Sequence, residues 1–136
     1  MGTWAIDAFG NDDACDWLSE LDETADLSLI ESALDSLLVR GSEYVEAPLA
    51  WAALAAAEVI ARLQGNWGQR DAYSAIADQW VERTGLRPPP SLASKAHLAI
   101  ERILADDSEL RELWEESDER DAWLASVTAL KGRVRG

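Results

Sequence analysis

The stretch APLAWAALAAAEVIARL, residues 47–63, decides the fold class. Pro48 falls in a first turn, where a helix accepts proline, and Gly65 follows just past the last apolar residue. Between them apolar side chains cover nearly every face, and a helix apolar all round is one that other elements enclose. Its many alanines let neighbouring helices approach closely. The uncharged run inside it, Ala47 to Ala57, is well short of the ~20 residues that cross a bilayer. The reading is the central helix of a soluble bundle, with no membrane span.

Working outward, helical period dominates and no stretch alternates convincingly at period two. Asn11 is a good N-cap, Asp12 and Asp13 follow in the first turn, and Ala14, Trp17, Leu18 and Leu21 share one face. A second helix is expected from about Ser28 to Val39, where Ser28 and Glu31 have capping-box spacing and Gly41 lies beyond the end. A fourth, from about Gln69 to Arg83, places Tyr73, Ile76, Ala77 and Trp80 on one face. Arg87 to Ser91 (RPPPS) reads as a stiff extended connector, since proline fixes φ and lacks an N–H. A fifth helix follows from about Leu92 to Leu104, on Ala96, Ala99, Ile100 and Ile103. Asp107 or Ser108 caps a short sixth bearing Leu110, Leu113 and Trp114. The last, from about Asp118 to Val134, carries Trp123, Val127, Leu130 and Val134. Lys131, Arg133 and Arg135 near its end suit the helix macrodipole. The sum is an all-α, compact single-domain bundle of about six or seven helices over residues 1–136. Residues 1–10 form an irregular N-terminal arm and residues 86–91 a Pro-rich connector.

Composition narrows the function classes. The chain has 136 residues, 48% hydrophobic and 28% charged, a globular balance. Twenty-six acids against twelve Lys and Arg give a formal net charge of −14. Such a field repels nucleic acid and anionic membranes and favours a cationic partner, so direct nucleic-acid binding is not expected. One cysteine, Cys15, fits a reducing cytoplasm. No basic segment followed by an apolar one marks a secretory signal, and Ile6 stands where myristoylation wants Ser or Thr. The expected location is cytoplasmic.

The search for chemistry returns little. The phosphate-binding patterns GxGxxG and GxxxxGK[ST] and the GxSxG elbow are absent. His97 is the only histidine, which excludes HExxH zinc sites and two-histidine triads. Asp12, Asp13 and Asp16 offer oxygen ligands, but DAFGNDDACDWL from Asp7 lacks the glycine and glutamate of a calcium loop. On the helical wheel Asp13, Asp16 and Glu20 point away from Ala14, Trp17 and Leu21, which describes a solvated face. DDSELRELWEESDERD, Asp106 to Asp121, packs nine acids and two arginines and reads the same way. Glu58 is the first charge in the central helix, with Arg62 four residues on. The expectation is an i, i+4 pair at the helix edge, with a lone buried carboxylate as the functional alternative. Neither catalytic residues nor a metal or cofactor site is expected.

Seven tryptophans are many for this length. Trp17, Trp51, Trp80, Trp114 and Trp123 lie on apolar stripes, whereas Trp4 and Trp67 are expected outside regular helices. Trp67 then covers the core as a plug, or anchors a partner. Trp4 and Phe9 are expected to pin the N-terminal arm across the bundle.

The opening MGTW…D.FGNDDA.DWL resembles that of a family of small bacterial proteins known as domain of unknown function 4259, which begin MGxWGxGxFDNDxAxDWxxxL. The matching positions are Gly2, Trp4, Phe9, Asn11, Asp12, Ala14, Asp16, Trp17 and Leu21. Ala5 and Asp7 replace two glycines, and Gly10 replaces an aspartate. Ala56 to Ala61, with Glu58, and Ala99 to Glu116 also look like the family's. The resemblance implies a bacterial, intracellular, helical protein and transfers no activity or cofactor.

The leading functional expectation is a non-enzymatic, acidic protein-interaction module, of the immunity or inhibitor kind, that binds a basic protein partner. Candidate partner-binding or family-motif residues are Trp4, Phe9, Asn11, Asp12, Asp13, Asp16, Glu58 and Trp67. A small enzyme or divalent-metal protein using Glu58 or Asp12, Asp13 and Asp16 is the second reading. A homo-oligomeric structural protein is the third.

Overall fold

The computed structural model describes Phe9, residues 11–68 and residues 70–135. Trp4, and with it half of the expected pin on the N-terminal arm, lies outside the described residues. Seven helices follow one another among those described: α1 (Asp12–Asp22), α2 (Ser28–Leu38), α3 (Ala47–Leu63), α4 (Ala75–Thr84), α5 (Pro90–Leu104), α6 (Glu109–Glu115) and α7 (Arg120–Arg133). The architecture is an all-α single domain, as the periodicity predicts. α3 packs against every other helix, which accounts for its apolar circumference. From Ala53 to Arg62 every residue of α3 is buried.

Capping agrees with the sequence at the starts of α1 and α6. Ala14 N–H donates to Asn11 Oδ1 at 2.7 Å, so a buried Asn11 fixes the start of α1. Ser108 Oγ accepts from Arg111 N–H at the start of α6. All five tryptophans placed on helical stripes are buried. Trp80 Nε1–H finds the Thr24 carbonyl at 2.9 Å, and Trp114 stacks on Trp123 with ring centres 6.0 Å apart. These aromatic contacts tie α4 to the end of α1 and α6 to α7.

Four expectations need correction. The Ser28–Glu31 capping box is not formed; Asp26 Oδ1 instead accepts from both Ser28 N–H and its hydroxyl, two residues before. α4 begins at Ala75 rather than near Gln69. Asp71 Oδ1 accepts from the N–H groups of Tyr73 and Ser74 and turns the chain there, a local bond that competes with helix. Consequently Tyr73 and Ile76 are exposed, and the buried face of α4 is Ala77, Asp78, Trp80 and Val81. The rigid connector is shorter than RPPPS: Pro89 is extended, but Pro90 is the first residue of α5, where its missing N–H costs nothing. Leu113, assigned to the stripe of α6, is exposed, because α6 buries only Leu110 and Trp114.

The N-terminal end of α3 is fastened from across the sequence. Val45 N–H donates to the Asp107 carbonyl, and Glu109 N–H donates back to Val45, an isolated bridge between two loops. Arg102 spans the same loops, donating to the carbonyls of Gly41, Glu43 and Asp106. Gly85 ends α4 at φ 57°, a left-handed conformation that glycine adopts without strain.

Candidate functional site

Glu58 and Arg62 lie one helical turn apart in α3, so their side chains leave the same face. They do pair, as the spacing predicts, but not at a helix edge. Glu58 is 8% exposed and Arg62 2%, because α3 is enclosed by neighbours and has no edge at this level. Nor is Glu58 alone. Its Oε1 accepts from Arg62 Nη1 and its Oε2 from Arg133 Nη2 of α7 at 2.6 Å. Arg62 Nε donates onward to Asp78 Oδ1 of α4 at 2.7 Å. Asp78, 5% exposed, accepts at its second oxygen from Ser74 Oγ, with Arg70 at 3.6 Å.

Each carboxylate oxygen of the network thus faces an arginine or a hydroxyl. That arrangement is needed, because an isolated charge in such a place costs several kcal/mol. Chemically it is a closed set: the carboxylates are engaged with cations, and the network joins α3, α4 and α7. Arg133 is held further by Asn66, whose carbonyl accepts from Nη1 and whose side-chain amide donates to the Arg133 carbonyl. Gly68 leaves the space this needs, since a Cβ there would sit 2.6 Å from Arg133 Nη1.

Aromatic rings roof the network. The Arg62 guanidinium lies 5.2 Å from the centre of the buried Phe9 ring and 6.0 Å from that of Trp67. Arg70 stacks on Trp67 at 4.4 Å, a cation–π distance. Trp67 is half-buried against the core. The structure therefore gathers Phe9, Glu58 and Trp67 at the C-terminal end of α3. Asn11 is the cap of α1, and Asp12, Asp13 and Asp16 stand on its exposed flank.

Around that flank the charge is one-sided. Among the described residues no lysine or arginine forms an ion pair with Asp12, Asp13, Asp16 or Glu20. Burial first, then Asp16 and Asp12, push the Asp13 carboxyl up from its ordinary value. The Cys15 thiol is pushed up as well, by burial and by Asp12 and Asp16, so it is protonated and unreactive at neutral pH. Among the described residues no group of three or more His, Cys, Asp or Glu is placed to hold a metal ion. The two acidic runs begin near opposite ends of α3. Glu109 accepts from Ala47 N–H at the start of α3, whereas Phe9, just before α1, lies by Arg62 near its end.

Sequence reasoning missed Asp78, Ser74, Arg70 and Arg133. Asp78 carried a usable signal, a charge beside Ala77 and Trp80 on a stripe that must be buried. Arg133 carried none, because charge at a helix C-terminus already has a macrodipole explanation. His97, expected at the surface or partly buried, is half-buried with Nε2 against the Val134 carbonyl.

No curated protein and no solved structure matches the chain. The family model for domain of unknown function DUF4259 matches residues 2–126, which include Phe9, α1, Glu58, Arg62 and Asp78 but not Arg133. The chain belongs to the DUF4259 family.

Proposed function

We propose that this protein is a non-enzymatic interaction module that docks a basic protein partner on the acidic flank of α1, in the manner of an immunity or inhibitor protein. The observation that carries the reading is the crowding of Asp12, Asp13 and Asp16 with no cation paired to them among the described residues; after burial, that crowding adds to the upward push on the Asp13 carboxyl. A basic partner relieves that repulsion, and the net charge of −14 steers it inward. The engagement of Glu58 and Asp78 by arginines argues for a structural role there, against acid–base work. Phe9, Asn11 and Trp67 then hold the framework that presents the flank. Of the exposed apolar side chains, Val39, Ile76 and Leu98 lie on or beside three different helices, whereas Leu113 shares with Tyr44 a pocket lined by Glu109, Glu112 and Glu116.

The test is co-expression with the products of neighbouring genes, followed by pull-down and light scattering of the free protein. A stable complex with a basic protein is expected, weakened by salt and lost in Asp13→Asn/Asp16→Asn. A complex indifferent to that double substitution would move the interface elsewhere. No partner at all, with no rescue of a toxic neighbour, would sink the reading.

A further inference from the structure

Nine of the twelve lysines and arginines form ion pairs among the described residues. A tenth, Arg102, spends its guanidinium on backbone carbonyls. The two that remain, Arg87 and Arg135, line one and the same cavity, of about 740 Å³, beyond the C-terminal end of α3. In a chain with 26 acids, none of the described residues that line that cavity is an acid. We propose that it binds a small organic oxyanion, a phosphate monoester in chemical class, between Arg87 and Arg135.

Both arginines are held where they stand by their backbones. Gln64 clamps Arg135 from two sides, its Oε1 accepting from Arg135 N–H at 2.8 Å and its Nε2 donating to the Arg135 carbonyl at 2.6 Å. Arg87 precedes Pro88, which restricts it to extended conformations. The side chains stay exposed and ready for a ligand, while the chain segments bearing them are fixed. Guanidinium forks match phosphate oxygens two at a time, which favours phosphate over a monovalent anion.

The size of the cavity calls for more than a bare ion. A volume in the range of small-molecule sites leaves room for an organic body, and Leu63 and Pro88 offer it apolar wall. The acidic background opposes entry less than the net charge implies. Screening confines charge effects to about 8 Å at physiological salt, and the nearby Arg62 and Arg133 are paired with Glu58 and Asp78.

Phenyl phosphate, with inorganic phosphate and phenol as controls, tests the assignment by calorimetric and NMR titration of the intact protein. Saturable binding of phenyl phosphate with a Kd of about 1 mM or tighter is expected, stronger than either control and weakened by sodium chloride. Arg87→Ala and Arg135→Ala should each weaken it about tenfold or more, with thermal stability unchanged because neither side chain is in the core. No saturable binding, equal binding of phenol, or undiminished affinity in Arg87→Ala/Arg135→Ala would overturn the proposal. Phosphate bound as well as its phenyl ester, with the shifts confined to the two arginines, would mark an adventitious ion only and overturn it too.

Discussion

The C-terminal end of α3 and the outer flank of α1 both concentrate charge, and they handle it in opposite ways. At the end of α3, carboxylates are out of water and each oxygen faces a donor, so three helices are bound together by opposite charges. On α1 the carboxylates of Asp12, Asp13 and Asp16 belong to exposed residues, lie close together and, among the described residues, form no ion pair with a cation. Buried charge must be matched and therefore becomes architecture, whereas exposed charge need not be matched and stays available to a partner.

The sharpest way to break this contrast is to remove one buried cation. Arg62→Met leaves Glu58 and Asp78 inside without their shared donor, and about 3–5 kcal/mol of stability should be lost. The exposed counterpart, Asp13→Asn/Asp16→Asn, should change stability by less than about 1 kcal/mol. Urea unfolding of the three chains decides; equal losses would erase the distinction. An intermediate effect is expected from Asn11→Ala. It removes the side-chain oxygen that starts α1 and should cost about 1 kcal/mol by the same measurement.

The smallest effect is in the pH dependence. Asp13 keeps its proton to a higher pH in the native state than in the unfolded chain, because its folded value is raised. Stability therefore falls as pH rises from the ordinary aspartate value through the raised one, and then levels. Asp13→Asn abolishes that contribution, so its stability relative to the parent should grow across the same window. A difference independent of pH would show that neither burial nor the neighbouring carboxylates perturb Asp13.

Much of the fold is written in local pattern. α3 is legible end to end because Pro48, an apolar circumference and Gly65 agree, and the Asn11 cap because its acids follow at once. What escaped had causes that the hydrophobic period does not record. The late start of α4 turns on Asp71 competing for backbone donors, a choice no hydrophobic period records. Of the two partners of Glu58, Arg62 follows one turn later on the same helix, but Arg133 comes from α7 and is 75 residues away. Arg87 and Arg135 look like ordinary surface charges until the fold brings them to one cavity.

That separation of 75 residues has a consequence for synthesis. A nascent chain can wind α3 and dock α1, α2 and α4 long before residue 133 exists. Throughout that interval Glu58 lacks its second cation, and the level of α3 that α7 later covers is open to water. The last turn of α7 thus supplies the cation that completes the buried network, and no earlier part of the chain can supply Arg133 in its place.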